Sequence, residues 1–270
     1  MVTRILSGAI LVLFVAAIVV FNSSFPLALN IVVAVISSWA VMELFGAMGM
    51  AKRYTFLVPS LLCAVALPFS TVVPIGPLVV FLYLTLMFTA QLKEHASVSF
   101  KDIGVLMLMS VMIPAALTTL VLIRNHSTEH DMFPVIVTIL AAWAADVGAY
   151  FAGVFFGKHK MCPNISPKKT IEGAVGGFIF NVLVMVACGL AFSAYSQTQV
   201  HYLPLVLIGA IGWGYSVLGD LSFSLIKRSC HIKDFSHLIP GHGGILDRFD
   251  SVIFVAPFVY FLLTFLPIFG

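Results

Sequence analysis

Long apolar runs recur along the whole chain, and no other feature constrains its fold as tightly. Nine stretches, at about 5–21, 26–45, 56–70, 74–90, 103–123, 133–156, 171–194, 202–226 and 249–269, are apolar over most of a bilayer's hydrocarbon thickness. In hydrocarbon a backbone must satisfy its own N–H and C=O groups, so runs of this length read as membrane-spanning α-helices. With 61% hydrophobic residues and a mean hydropathy of +1.10, the chain is too apolar for a water-soluble globule. The expected fold is all-α: a polytopic integral membrane helix bundle of about nine transmembrane helices. The third stretch is short and flanked by prolines, which predicts a tilted, broken or half-inserted helix. The first follows Arg4 much as a secretory signal would. Its run is long for a signal and no small-residue cleavage site follows, so a retained helix is expected.

Charge placement sets the expected topology. Arg4, Lys52, Arg53, Lys93, Lys101, Lys158, Lys160, Lys168, Lys169, Lys227, Arg228, Lys233 and Arg248 fall at the N-terminus or in the loops after stretches two, four, six and eight. These are thirteen of the fourteen basic residues, and Arg124 alone falls on the other side. The positive-inside rule then predicts a cytoplasmic N-terminus and an outside C-terminus, with the basic loops facing anionic headgroups and anionic metabolites. Nucleic acid is not an expected partner. Cys63, Cys162, Cys188 and Cys230 lack metal-ligand spacing, and disulfides are not expected.

The chain divides unevenly. Residues 1–125 are nearly free of charge within the helices and read as scaffold or interface. Residues 126–270 carry Asp146, Glu172 and Asp220 in or beside helices, together with two long basic loops, and read as the catalytic region. Only 9% of residues are charged, yet the window 224–250 holds four Lys+Arg and three Asp+Glu around a glycine-rich turn.

Asp220 lies in the last turns of the eighth stretch and Asp247 at the start of the ninth, so a helical hairpin would let both carboxylates reach one cation. Mg2+ is held by one or two carboxylates, with phosphate and water completing its shell. Local pairing, Asp220 with Lys227 and Asp247 with Arg248, is the alternative. The turn Gly241-His242-Gly243-Gly244 has the glycines for an anion-binding nest ahead of a helix N-terminus, or for a flexible turn alone. His242 would contact phosphate or brace that turn. Lys227 and Arg228, taken alone, read as anchors at a helix end. In the second cluster, Asp146 would face a water-filled cavity. Ser166-Pro167-Lys168-Lys169-Thr170 resembles a helix N-terminus with two cations suited to a polyphosphate. Glu172 is either a further metal ligand or an acidic first-turn residue. Gly173, Gly176, Gly177, Gly209, Gly212 and Gly214 read as helix-packing positions.

The window 224–250 resembles the signature of the phosphatidate cytidylyltransferases, or CDP-diacylglycerol synthases. Ser224, Lys227, Arg228, Lys233, Asp234, His242, Gly243, Gly244, Asp247, Arg248 and Asp250 all fall on its fixed positions. The stretch from Asp146 to Gly177 is also similar to that family, while the N-terminal half resembles it in hydropathy only. The resemblance implies CTP and phosphatidic acid as substrates, and CDP-diacylglycerol and pyrophosphate as products. It further implies a Mg2+ centre paired with K+ on Asp220 and Asp247, and a homodimer formed through membrane helices. On this reading Lys168, Lys169, Lys227, Arg228, Lys233 and Arg248 neutralise the substrates, Ser166 and the 242–244 turn contact phosphate, and Asp146, Asp234, Glu172 and Asp250 orient groups or add ligands. The expected location is a bacterial inner membrane with the site on the cytoplasmic face. Two rivals remain: another membrane lipid-phosphate nucleotidyl- or phosphotransferase, and an ion or lipid transporter using Asp146 and Asp220.

Overall fold

The computed structural model describes residues 22, 24–126, 132–239, 241 and 243–269. They form α1 (Ala28–Ala47), α2 (Tyr54–Phe69), α3 (Gly76–Glu94), α4 (Phe100–His126), α5 (Met132–Phe156), β1 (Lys160–Cys162), β2 (Ser166–Thr170), α6 (Ile171–Ser196), α7 (Tyr202–Ser229) and α8 (Leu246–Phe265). The class is all-α, with one two-stranded hairpin added, and the protein is an integral membrane protein. Seven of these helices are long and apolar enough to cross a membrane. The exception, α2, has 16 residues and carries Pro59 and Pro68 within it. The apolar stretch 5–21 lies outside the described residues.

The chain forms two compact units. The first runs through Val121 and takes in Cys230–Arg248; the second comprises Leu122–Ser229 and the chain from Phe249 onward. Cys230–Arg248, grouped by sequence with the catalytic half, is thus part of the unit built on the N-terminal helices. Its bonds to α1 are the physical reason.

In the first unit, Phe45, Phe56, Met87 and Ile103 are fully buried between helices. Buried Asn30 on α1 donates to the Pro68 carbonyl at 2.8 Å, satisfying one of the carbonyls a helix leaves unpaired at its C-terminal end. Arg53 pairs with Glu94 at 3.0 Å across the loops that flank α2 and α3.

In the second unit the helices meet through small residues. A Cβ added to Gly173 would lie 2.7 Å from the Ala149 carbonyl, and one on Gly177 would lie 2.7 Å from that of Ala145. Gly209 lies equally tight against the Val182 backbone on α6, whereas Gly214 has nothing within 4 Å and is not a packing position. Apolar lipid gives helices little reason to associate, so close backbone approach and buried polar ties hold them together. The ties here are Asn181 Nδ2 donating to the Gly209 carbonyl at 2.9 Å and Ser216 Oγ donating to the Ala142 carbonyl at 3.0 Å.

Candidate active site

The α5–α6 contact sets the geometry of the second unit's site. Between these helices the chain turns back as an antiparallel hairpin, with Lys160 opposite Thr170 and Cys162 opposite Ser166. Ser166–Thr170, expected as a helix N-terminus, is the hairpin's return strand. The cap itself is Thr170, whose Oγ1 accepts the Gly173 N–H at 3.1 Å. The strand therefore ends with Lys169 one residue before the cap, beside α5 and α7. Its Nζ lies 2.7 Å from Asp220 Oδ2 on α7 and 3.9 Å from Asp146 Oδ1 on α5. All three line a cavity of about 460 Å³, together with Ser166, Lys168, Lys160, Tyr150 and Val154. The Asp146 side chain is 42% exposed and that of Asp220 is 24% exposed, so both carboxylates reach the cavity rather than the packed interior.

Beneath these groups, α8 supplies support. Ser251 Oγ lies 3.4 Å from Asp146 Oδ2 and 3.1 Å from the Ser216 carbonyl. Asp250 is buried, accepts the Ser251 N–H at 2.7 Å, and lies close enough to feel the charges of Asp220, Asp146 and Lys227. Lys227 is only 8% exposed. A lysine anchoring a helix end would extend its ammonium to water; this one is folded into the unit, where the acidic group attracts it. Arg228 reaches the hairpin turn, with Nε 3.5 Å from the Ile165 carbonyl.

Glu172 serves the hairpin. Its oxygens accept the Lys158 N–H at 3.0 Å and the His159 N–H at 3.2 Å, and His159 Nδ1 lies 2.5 Å away.

The first unit holds the rest of the signature. Asp247 Oδ2 accepts N–H groups from Phe235 at 2.8 Å and Gly244 at 3.0 Å. Ile239 donates its N–H to the Gly243 carbonyl at 2.8 Å, closing the turn, and Gly241 and Gly243 take φ of +79° and +83°. Lys233 is exposed; Asp234 and Arg248 are half-buried. His242 lies outside the described residues.

Sequence reasoning passed over Glu43. It sits on α1, 6% exposed, and accepts from Ser236 Oγ at 2.6 Å, the Ile245 N–H at 2.9 Å and the Leu246 N–H at 2.8 Å. A signal was present, since an acidic residue inside an apolar helix stays there only with partners. Those partners lie some two hundred positions along the chain, so no spacing rule finds them.

Among the described residues, no three of His, Cys, Asp and Glu gather into a ready cation cage. Asp146 and Asp220 already share a cation, the Lys169 ammonium, and they open on a cavity lined by further lysines. That donor set suits Mg2+ carrying substrate phosphate.

Comparison with known proteins shows what the chain is similar to. Residues 2–266 match the cytidylyltransferase family profile. The chain is 34% identical over 224 residues to the phosphatidate cytidylyltransferase of Bacillus subtilis (strain 168), covering 83% of this chain and 80% of that protein. It is 35% identical over 216 residues to that of Staphylococcus aureus (strain COL), covering 76% and 79%. Against the Haemophilus influenzae phosphatidate cytidylyltransferase, identity reaches 42% over 137 residues, half of this chain and 46% of that protein. Matched from its second residue to within a few of its last, the chain belongs to the cytidylyltransferase family.

Proposed function

We propose that the protein transfers CMP from CTP to phosphatidate, forming CDP-diacylglycerol and pyrophosphate. One observation carries the reading: in a chain whose relatives are named phosphatidate cytidylyltransferases, Asp146 and Asp220 share a lysine in a cavity lined with cations. An oxygen of the phosphatidate phosphate attacks the CTP α-phosphorus as the bond to the β-phosphate oxygen breaks and pyrophosphate leaves. The nucleophile is already an anion, so no side chain need take its proton. Catalysis then consists of bringing anions together and neutralising them.

Lys168 and Lys169 would pair with phosphate oxygens at the cavity, and Lys227, Arg228, Lys233 and Arg248 supply further positive charge. Ser166, His242, Gly243 and Gly244 are candidates for phosphate contact, and Asp234, Asp250 and Glu172 for orienting their neighbours. Asp220 and Asp146 would hold a Mg2+, and Asp247 is a candidate cation ligand in the first unit; such a cation would supply charge neutralisation for the triphosphate. A cytoplasmic site in a bacterial inner membrane, K+ beside Mg2+, and a homodimer belong to the same proposal. The one-sided basic loops and the family resemblance support them.

The test is to incubate detergent-purified protein with α-labelled CTP, phosphatidate and Mg2+. Labelled lipid and one pyrophosphate per turnover are expected. Label transferred only to a different lipid phosphate would reassign the acceptor, and substrate flux without lipid-linked CMP would favour a transporter.

A further inference from the structure

The N-terminus of α8 spends its donors in an unusual way. The first N–H groups of a helix lack intrahelical partners, and their positive end commonly attracts an external anion. Here the N–H of the first helical residue and those of the two residues before it go to the chain's own carboxylates: Gly244 to Asp247, and Ile245 and Leu246 to Glu43. Ser236 adds a hydroxyl to Glu43, tying the loop before the turn to the same side chain. The glycines follow from this arrangement. A Cβ on Gly244 would lie 2.5 Å from both Glu43 oxygens, and one on Gly243 would lie 2.9 Å from Asp247 Oδ2. Three donors around one group call for a carboxylate, because an amide would turn an NH2 toward at least one of them.

We infer that Glu43 is a positioning residue for the reaction: it fixes the backbone from Gly244 to Leu246, and through it the presentation of Asp247. This rests on the proposed reading, in which Asp247 serves the cation and the substrate phosphates. The N-terminal helices then do more than scaffold, since one of them sets the geometry of the signature turn. A group held in place this way matters most in the transition state, where small displacements cost far more than they do in binding.

The experiment compares wild type, Glu43→Gln, Gly244→Ala, the double variant and Asp247→Asn in detergent. It measures kcat per folded molecule, KM for CTP, half-saturating Mg2+, and the rise in melting temperature that Mg2+ gives to the CTP-bound protein. Glu43→Gln should lower kcat by roughly tenfold to a hundredfold. KM for CTP should stay within about threefold. Half-saturating Mg2+ should rise by roughly tenfold in both activity and melting. Gly244→Ala, which pushes a methyl into the Glu43 carboxylate, should give the same profile, with the double variant no worse than the more severe single. Wild-type kcat and Mg2+ dependence in Glu43→Gln would overturn the inference even if its melting temperature fell, since that is the mark of a purely structural role. Should Glu43→Gln fail to fold, Gly244→Ala decides by the same criteria. If the wild type makes no lipid-linked CMP, the proposed function falls, and the Mg2+-dependent melting shift alone decides the role of Glu43.

Discussion

The two compact units both present carboxylates from their helices, but they hold them by different means. In the first, Glu43 and Asp247 are gripped by backbone N–H groups and one serine hydroxyl. In the second, Asp146 and Asp220 face a lysine ammonium at the edge of a cavity. A backbone amide cannot withdraw without opening the loop that carries it. A lysine on a four-carbon stem can swing aside and be replaced by another cation. The difference separates shape from exchange: the first pair is locked to a turn, which fixes how Asp247 is presented, and a lysine-held pair is free to trade partners.

The largest effect that could break this comparison belongs to Asp220. Asp220→Asn keeps the shape and removes the charge, and should lower formation of labelled lipid by on the order of a thousandfold while elution and melting stay near wild type. Activity within a few fold of wild type would remove Asp220 from the exchanging pair. Lys169→Ala should come next, lowering kcat/KM for CTP by roughly a hundredfold through a lost charge-assisted bond to phosphate. If Lys169 competes with the divalent cation, the same variant needs less Mg2+, whereas a raised requirement would make the lysine part of the cation's support.

Gly219→Ala tests the packing behind Asp220. Its Cβ would lie 2.6 Å from the Asp250 carbonyl, forcing α7 and α8 apart at a cost of about 1–3 kcal/mol in thermal unfolding. It should reduce activity less than Asp220→Asn does. Thr170→Ala should be the mildest, removing the α6 cap for about 1 kcal/mol. A melting temperature equal to wild type would show that the hairpin, rather than the cap, holds the start of α6.

Much of the fold was legible because a membrane narrows the choices. Eight of the nine apolar stretches coincide with helices in the described residues. The hairpin escaped notice: Ser166-Pro167-Lys168-Lys169-Thr170 carries a helix-capping pattern, and pairing with Lys160–Cys162 outweighs that pattern until Thr170. Asp146 and Asp220 stood out as acids in apolar helices, while Glu43 was just as visible and was passed over because the basic and glycine-rich windows lie elsewhere. Lys227, which taken alone reads as an anchor, is buried in the structure, and its position at a helix end says nothing about the buried Asp250 that feels its charge.

The length and hydropathy of the apolar runs determined the helical membrane class by themselves, because both are local responses of the chain to a bilayer. The family signature was equally local, a set of residue types at fixed intervals. Only the tertiary structure decided which donor meets which acceptor: Lys169 between Asp146 and Asp220, and Glu43 at the far-off start of α8. The first depends on backbones brought close by glycine and alanine contacts between helices and the second on a loop bonded back to α1, and sequence distance carries no trace of either.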